Sequence, residues 1–280
     1  MTVVDAHQHL WNLQRVDYPW LTPDYGPIYR TFEESELEPQ LTAAGVDKTV
    51  LVQSADSSQD TDYMLEVAER WPRVAGVVGW VPLERPDDAN AELDRRCTNP
   101  RFVGVRHLIH TEVDPDWLLH DGVQHSLALL AERQLALDVV AVLPRHLEHV
   151  ASIADRHPQL RLVVDHLAKP PIREGGWQPW SDLLYRAAEH PNVFGKLSGL
   201  NTAADPDSWS ARDLQPYVDR AVELFGASRL MFGGDWPVAT LAGDYAKVWD
   251  ATNTVLAKID GDDRDRILGG TAVDFYRLPL

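Results

Sequence analysis

Sulfur is scarce in this chain of 280 residues, where Cys97 is the sole cysteine. An internal disulfide is therefore impossible, and one cysteine near a helix end forms neither a metal cluster nor a redox pair, which sets thiol chemistry aside. Long apolar runs are missing too. None could cross a bilayer, and the first strand-like segment starts at Val3, leaving no room for a signal peptide. A cytoplasmic protein is expected. Basic residues number only 26 against 43 acidic ones, and the formal net charge of −17 repels polyanions and anionic membrane surfaces. That argues against nucleic acid and membrane as partners. It leaves a small neutral molecule open, since most of the carboxylates belong on solvated helix faces. No Gly-rich phosphate loop follows the first strand, and no low-complexity tract, linker or internal repeat marks a domain boundary, so residues 1–280 read as a single domain.

What the chain has is alternation. Eight segments rich in β-branched and aliphatic residues read as strands: Val3–His9, Thr49–Ser54, Val74–Val81, Phe102–Leu108, Leu135–Val142, Leu160–His166, Asn192–Ser198 and Arg229–Asp235. Between them run Glu33–Ala44, Thr61–Trp71, Asp87–Cys97, Val123–Arg133, Arg145–His157, Trp180–His190 and Leu214–Phe225, with Asp244–Leu256 after the last, each with apolar residues three and four apart. Strands apolar on both faces and alternating with helices predict a parallel sheet. Eight repeats of the unit predict a closed (β/α)₈ barrel of the TIM type, in the α/β class, with an open doubly wound sheet as runner-up. The long connections, Trp11–Arg30, Ile109–Gly122 and Lys169–Gln178, all follow strands, on the barrel face that carries active sites.

Polar residues gather at those strand ends. In Val4-Asp5-Ala6-His7-Gln8-His9, an extended backbone would project Asp5, His7 and His9 to one side. Two histidines so spaced can hold one metal ion, or one can grip a substrate oxygen while the other moves a proton. Strand four ends in Arg106-His107, strand six in Asp165-His166, strand seven carries Lys196, and strand eight ends in Asp235 ahead of Trp236-Pro237. Structural roles are open to each: Asp235 as a helix cap or a partner of Arg229, His166 as a core histidine, Arg106 as half of an ion pair, Lys196 as either structural or catalytic.

In combination, Val4-Asp5-Ala6-His7-Gln8-His9-Leu10-Trp11, Asp17-Tyr18-Pro19-Trp20-Leu21, Gly104-Val105-Arg106-His107, Val164-Asp165-His166-Leu167-Ala168-Lys169-Pro170, Lys196-Leu197-Ser198-Gly199 and Met231-Phe232-Gly233-Gly234-Asp235-Trp236-Pro237-Val238 resemble the amidohydrolase superfamily. The similarity is greatest to its lactonase-rich branch, with fuconolactonases, rhamnonolactonases and pyrone-dicarboxylate lactonases. That resemblance implies a (β/α)₈ barrel and hydrolysis of a sugar-acid lactone. It implies Asp235 as base toward the attacking water, with His166 and Arg106 as its catalytic partners and His7 and His9 lining the site. Gly234 stands where relatives often carry Ser, and His110 where Gln is expected. Relatives with two metals need a bridging Lys or carboxylate at strand four and a His at the end of strand five. Asp138-Val139-Val140-Ala141-Val142 contains no His, so the expectation is one divalent ion, zinc, on His7, His9, His166 and Asp235, not strictly required.

The chemistry is coherent without the family. A lactone is a cyclic ester, and opening it needs an activated water and a positive group on the carbonyl oxygen. His7, His9 and His107 are expected to contact substrate. Trp20 and Trp236, with Trp11, could stack on the apolar face of a sugar ring or simply pack the loops. The expected partner is a small sugar lactone, with a homo-oligomer left open. Two rivals stand beside this reading: a metal-dependent decarboxylase or amide hydrolase on the same barrel, and a non-catalytic sugar-binding protein. Asp235→Asn is expected to fold normally and to lose about a hundredfold or more of lactone hydrolysis, the usual contribution of a general base. A pH-indicator assay beside circular dichroism checks it, and near-normal turnover would remove Asp235 from that role.

Overall fold

The computed structural model describes residues 2–280. Eight parallel strands follow one another around a single sheet in chain order. They are β1 (Val4–Gln8), β2 (Lys48–Val52), β3 (Val74–Gly79), β4 (Phe102–His107), β5 (Ala136–Val139), β6 (Arg161–Val164), β7 (Val193–Leu197) and β8 (Leu230–Phe232). The outer helices are α1 (Glu34–Ala44), α2 (Ser58–Arg70), α3 (Pro86–Arg96), α4 (Asp121–Glu132), α5 (Pro144–Arg156), α6 (Trp180–Ala188), α7 (Ala211–Phe225) and α8 (Tyr245–Val255). This is the (β/α)₈ architecture expected. The barrel closes through His9 N–H donating to Trp236 C=O at 2.7 Å and Asp235 N–H donating to His7 C=O at 2.8 Å. Closure thus falls on the residues that head the candidate site.

Most strands stop short of the ranges read from sequence. The last residues of each apolar run leave the ladder and turn over the barrel mouth, so Asp165-His166 and Gly233-Gly234-Asp235 lie past the ends of β6 and β8. The connections after β7 and β8, down to Ala211 and Tyr245, also run over the mouth. Among the described residues, no helix is long and apolar enough to cross a membrane.

Two short helices at the end of the chain, α9 (Gly261–Asp265) and α10 (Thr271–Tyr276), were not anticipated from the sequence. α10 plugs the base of the barrel. Phe275 and Tyr276 join a buried interior cluster with Val4, Ala6, Val50, Val52, Val163 and Met231. Arg161, at the start of β6, donates to Phe275 C=O, and the rings of Phe194 and Phe275 lie 4.7 Å apart. Tyr276 OH donates to Asp138 at 2.8 Å. Too few residues for a visible 3.6-residue period make such a plug hard to read in advance. Phe275→Ala should therefore cost about 3–5 kcal/mol, as large-to-small core changes at aromatic positions do. Urea unfolding measures it, and a loss under 1 kcal/mol would show that the plug is dispensable.

Candidate active site

The mouth holds a cavity of about 230 Å³ whose polar wall is His9, Ser54, Arg106, His110, His166, Lys169 and Asp235. Leu108, Val140, Val142 and Val238 form an apolar wall, with Trp20 and Tyr25 over it. The volume is below the roughly 300–1,000 Å³ of pockets for drug-sized ligands, and suits a single small ring.

β1 brings His7 and His9 together, with Nε2 atoms 3.1 Å apart. Asp235 Oδ1 lies 3.4 Å from His9 Nε2 and 3.8 Å from His7 Nε2. Asp5 does not join them, contrary to the parity expected of an extended strand. The β1 register shifts between Asp5 and Gln8, and the Asp5 carboxylate is taken up by Gly234 N–H at 2.8 Å, Tyr245 OH at 2.7 Å and the Gln8 amide. Burial pushes Asp5 up to about 6, partly offset by these donors. The same packing explains Gly234, because a Cβ there would lie 2.5 Å from Asp5 Oδ2.

Asp235 has φ 52°, a left-handed conformation that turns its carboxylate back over the barrel. Burial pushes its carboxyl up, but His166, a hydrogen bond from His9, His7 and Lys169 together hold it well below the usual carboxylate range. Its Oδ2 is buried without a hydrogen-bond partner. Gly199 makes room for it, since a Cβ at that residue, whose φ is +58°, would stand 2.5 Å from Oδ2. Arg229 instead donates to the carbonyls of Ala188, His190 and Val193, which leaves Asp235 to the cavity.

His166 opens a run of four non-glycine residues at positive φ, His166 54°, Leu167 48°, Ala168 60° and Lys169 50°. Left-handed backbone costs L-residues roughly 1–2 kcal/mol each. The turn aims both His166 and Lys169 into the cavity. His166 Nδ1 is 2.8 Å from Ser198 Oγ, and burial pushes its imidazole down to about 4. Arg106 donates from Nη1 to Asp165 Oδ2 at 3.2 Å and from Nη2 to Gln53 C=O, while its Nε is buried without a partner. His110 lines the rim, pushed down to about 4 by burial and by Arg106.

Three residues expected to touch substrate do not line the cavity: His7, fully buried beneath His9 and Asp235, and His107 and Trp236. His107, next to Arg106 on β4, faces outward, stacked on Trp117 at 4.0 Å between ring centroids and bonded through Nε2 to Glu112 at 2.7 Å. Trp236 is 2% exposed and packs edge-on against Phe32, because the closure bond through its carbonyl turns its ring away from the mouth. Trp11 is likewise buried, and its indole donates to Arg30 C=O at 2.6 Å. Trp20 does line the cavity, fixed by its indole N–H on Ser54 C=O at 2.6 Å. Lys196 sits beneath it, fully buried, paired with Asp138 and with Asp165 at 3.2 Å, and 3.1 Å from His7 Nδ1. Lys169, Ser54, Tyr25 and the valines went unassigned in the sequence. Only Lys169 and Val238, within the quoted Val164–Pro170 and Met231–Val238 motifs, carried any signal there.

The donors fit a divalent ion. Ligands 2.0–2.1 Å from a tetrahedral zinc stand roughly 3.3 Å apart, and His7, His9 and Asp235 are separated by 3.1, 3.4 and 3.8 Å. His166 falls in a second, overlapping group with His7 and Asp165. The four-ligand set expected therefore divides into two groups that share His7. A proton on His7 Nδ1 directed at Asp165 Oδ1, 3.3 Å away, would leave Nε2 free for the metal.

The amidohydrolase family model matches residues 4–278. The chain belongs to the amidohydrolase family. This amidohydrolase is 41% identical to L-fucono-1,5-lactonase of Burkholderia ambifaria over 98% of the chain and 95% of that relative. It is 33% identical to the L-fucono-1,5-lactonase of Burkholderia multivorans, covering 99% and 96% of the two. A crystal structure of an amidohydrolase from Burkholderia multivorans with bound zinc superposes with a TM-score of 0.92 at 31% identity over all of both chains.

Arg106 spans Gln53 and Asp165 with a planar fork that an ammonium cannot reproduce. Arg106→Lys is expected to preserve the fold and raise KM about tenfold or more, since hydrogen bonds from a charged donor contribute about 1.5–3 kcal/mol. Steady-state kinetics at low substrate test it, and an unaltered KM would show that the guanidinium stays outside the substrate's reach.

Proposed function

We propose that this amidohydrolase, acting as one barrel domain, opens a sugar-acid lactone, such as L-fucono- or L-rhamnonolactone, to the free acid. The observation that carries the reading is the Asp235 carboxylate on the wall of a one-ring cavity, beside His9, His166 and Arg106, with its buried Oδ2 left without a hydrogen-bond partner. Two lactonases similar along nearly the whole chain support it.

In the mechanism, Asp235 takes a proton from water as the water oxygen attacks the lactone carbonyl carbon. The Arg106 guanidinium, on the cavity wall, stabilises the charge that develops on the carbonyl oxygen. Neutral His166 and His9 orient the ester, and Trp20 covers the ring. On collapse the bond to the ring oxygen breaks, and Asp235 returns its proton to that oxygen as it becomes a hydroxyl. His7, His9 and Asp235 would hold a divalent ion, zinc being suited to two nitrogens and an oxygen, and when bound it would add Lewis-acid polarisation of the carbonyl. An activated ester does not strictly require it. The cavity shapes access for a neutral sugar ring, in keeping with a strongly acidic protein.

A pH-indicator assay over a panel of aldonolactones, with and without chelator, beside elemental analysis of the purified protein, tests the reading. The expected result is turnover of a 6-deoxyaldonolactone, at most one metal per chain, and partial activity after chelation. Failure to open any lactone would overturn the assignment in favour of a decarboxylase, an amide hydrolase or a binding protein. Two metals per chain, or complete and metal-reversible loss on chelation, would overturn the single dispensable ion.

A further inference from the structure

Lys169 is the one cavity cation without a carboxylate partner. Its Nζ donates to Thr202 Oγ1 at 3.0 Å, its sole hydrogen bond among the described residues. Asp235 and Asp165 act on it only through space. In a chain with 43 acidic residues, leaving a half-buried ammonium unpaired is unfavourable unless something else meets its charge. The backbone that delivers it is itself costly, the fourth of four consecutive left-handed residues, and such strain persists where the surrounding structure enforces it, commonly at ligand sites. Arg106 lines the same cavity, and its buried Nε–H has no acceptor in the protein. Two cationic groups thus line a space that holds one fixed anion, Asp235.

We infer that Lys169, beside Arg106 on the cavity wall, seats the carboxylate of the ring-opened sugar acid. The inference rests on the lactonase reading above and extends it to the product. Water adds its oxygen to C1, the bond from C1 to the ring oxygen breaks, one water proton ends on that oxygen as a hydroxyl, and the other is lost as the acid ionises. A neutral ligand becomes an anion beside Asp235. Without the Lys169 ammonium, that anion and the Asp235 carboxylate would repel one another in a small, poorly hydrated space. Lys169 therefore discriminates by charge: the acid and the developing oxyanion gain from it, whereas a polyol of the same shape does not.

The test compares L-fuconate with L-fucitol, which offers hydroxyls along the same carbon chain and no carboxylate, by titration calorimetry on the full chain. Lys169→Met should weaken L-fuconate by about tenfold or more, the scale of a charge-assisted hydrogen bond, and L-fucitol by less than twofold. Lys169→Arg should recover most of the L-fuconate affinity, and thermal unfolding of each variant checks that the turn survives. Equal losses for both ligands, no loss for either, or no L-fuconate binding by the unmodified protein at millimolar concentration would each overturn the inference. Lactone turnover is followed in parallel on the unmodified protein. Its absence beside a selective L-fuconate loss would sink the lactonase reading and keep the anion seat, whereas turnover with an unselective Lys169→Met would do the reverse.

Discussion

Closure of the barrel between its first and last strands is the constraint on which the site depends. Two backbone hydrogen bonds, from His9 to Trp236 and from Asp235 to His7, place the β1 imidazoles and the β8 carboxylate in fixed register. Asp5 locks the same seam by accepting from Gly234 N–H and Tyr245 OH. A buried carboxylate with its lone pairs satisfied is rigid, and its removal would strand those donors. The positions of His7, His9 and Asp235 follow from how the sheet is sewn shut.

Beneath them lies a second layer of charge. Lys196 bridges Asp138 and Asp165 with every partner buried, and Asp165 in turn meets Arg106 and His7. Tyr276, rising from the base of the barrel, completes the column at Asp138. An alternating stack of cations and anions orients the residues above it and opposes substitution of any single member, since each would leave an uncompensated charge. Candidate-site groups at the mouth and a packing aromatic at the opposite end belong to one electrostatic structure.

The barrel was legible because its strands are apolar on both faces and its helices carry a clear period. His7, His9, Arg106, His166 and Asp235 stood out because each ionisable group closes an apolar run, which has few explanations other than a strand end at the mouth. Where the sequence misled, the cause is local geometry that period-two reasoning cannot see. A register shift in β1 sends Asp5 to the outer face, and the strand alternation that aims Arg106 inward turns His107 out onto Trp117. Closure through the Trp236 carbonyl buries an indole that composition alone would put against a sugar. Lys169 was hidden for a related reason: non-glycine residues give no warning that four of them will wind left-handed.

The lock at the seam joins residues 229 positions apart, Asp5 and Gly234. A chain with β8 not yet docked would hold two imidazoles without the carboxylate that sits against them. It would also lack the register that fixes their spacing. No partly built barrel holds the assembled site, and half of the fold carries only half of its residues. Such long-range pairing is the last to repay its loop-closure entropy in folding. An assembled cluster of His7, His9 and Asp235 is consequently a direct report that the two ends of the sheet have met.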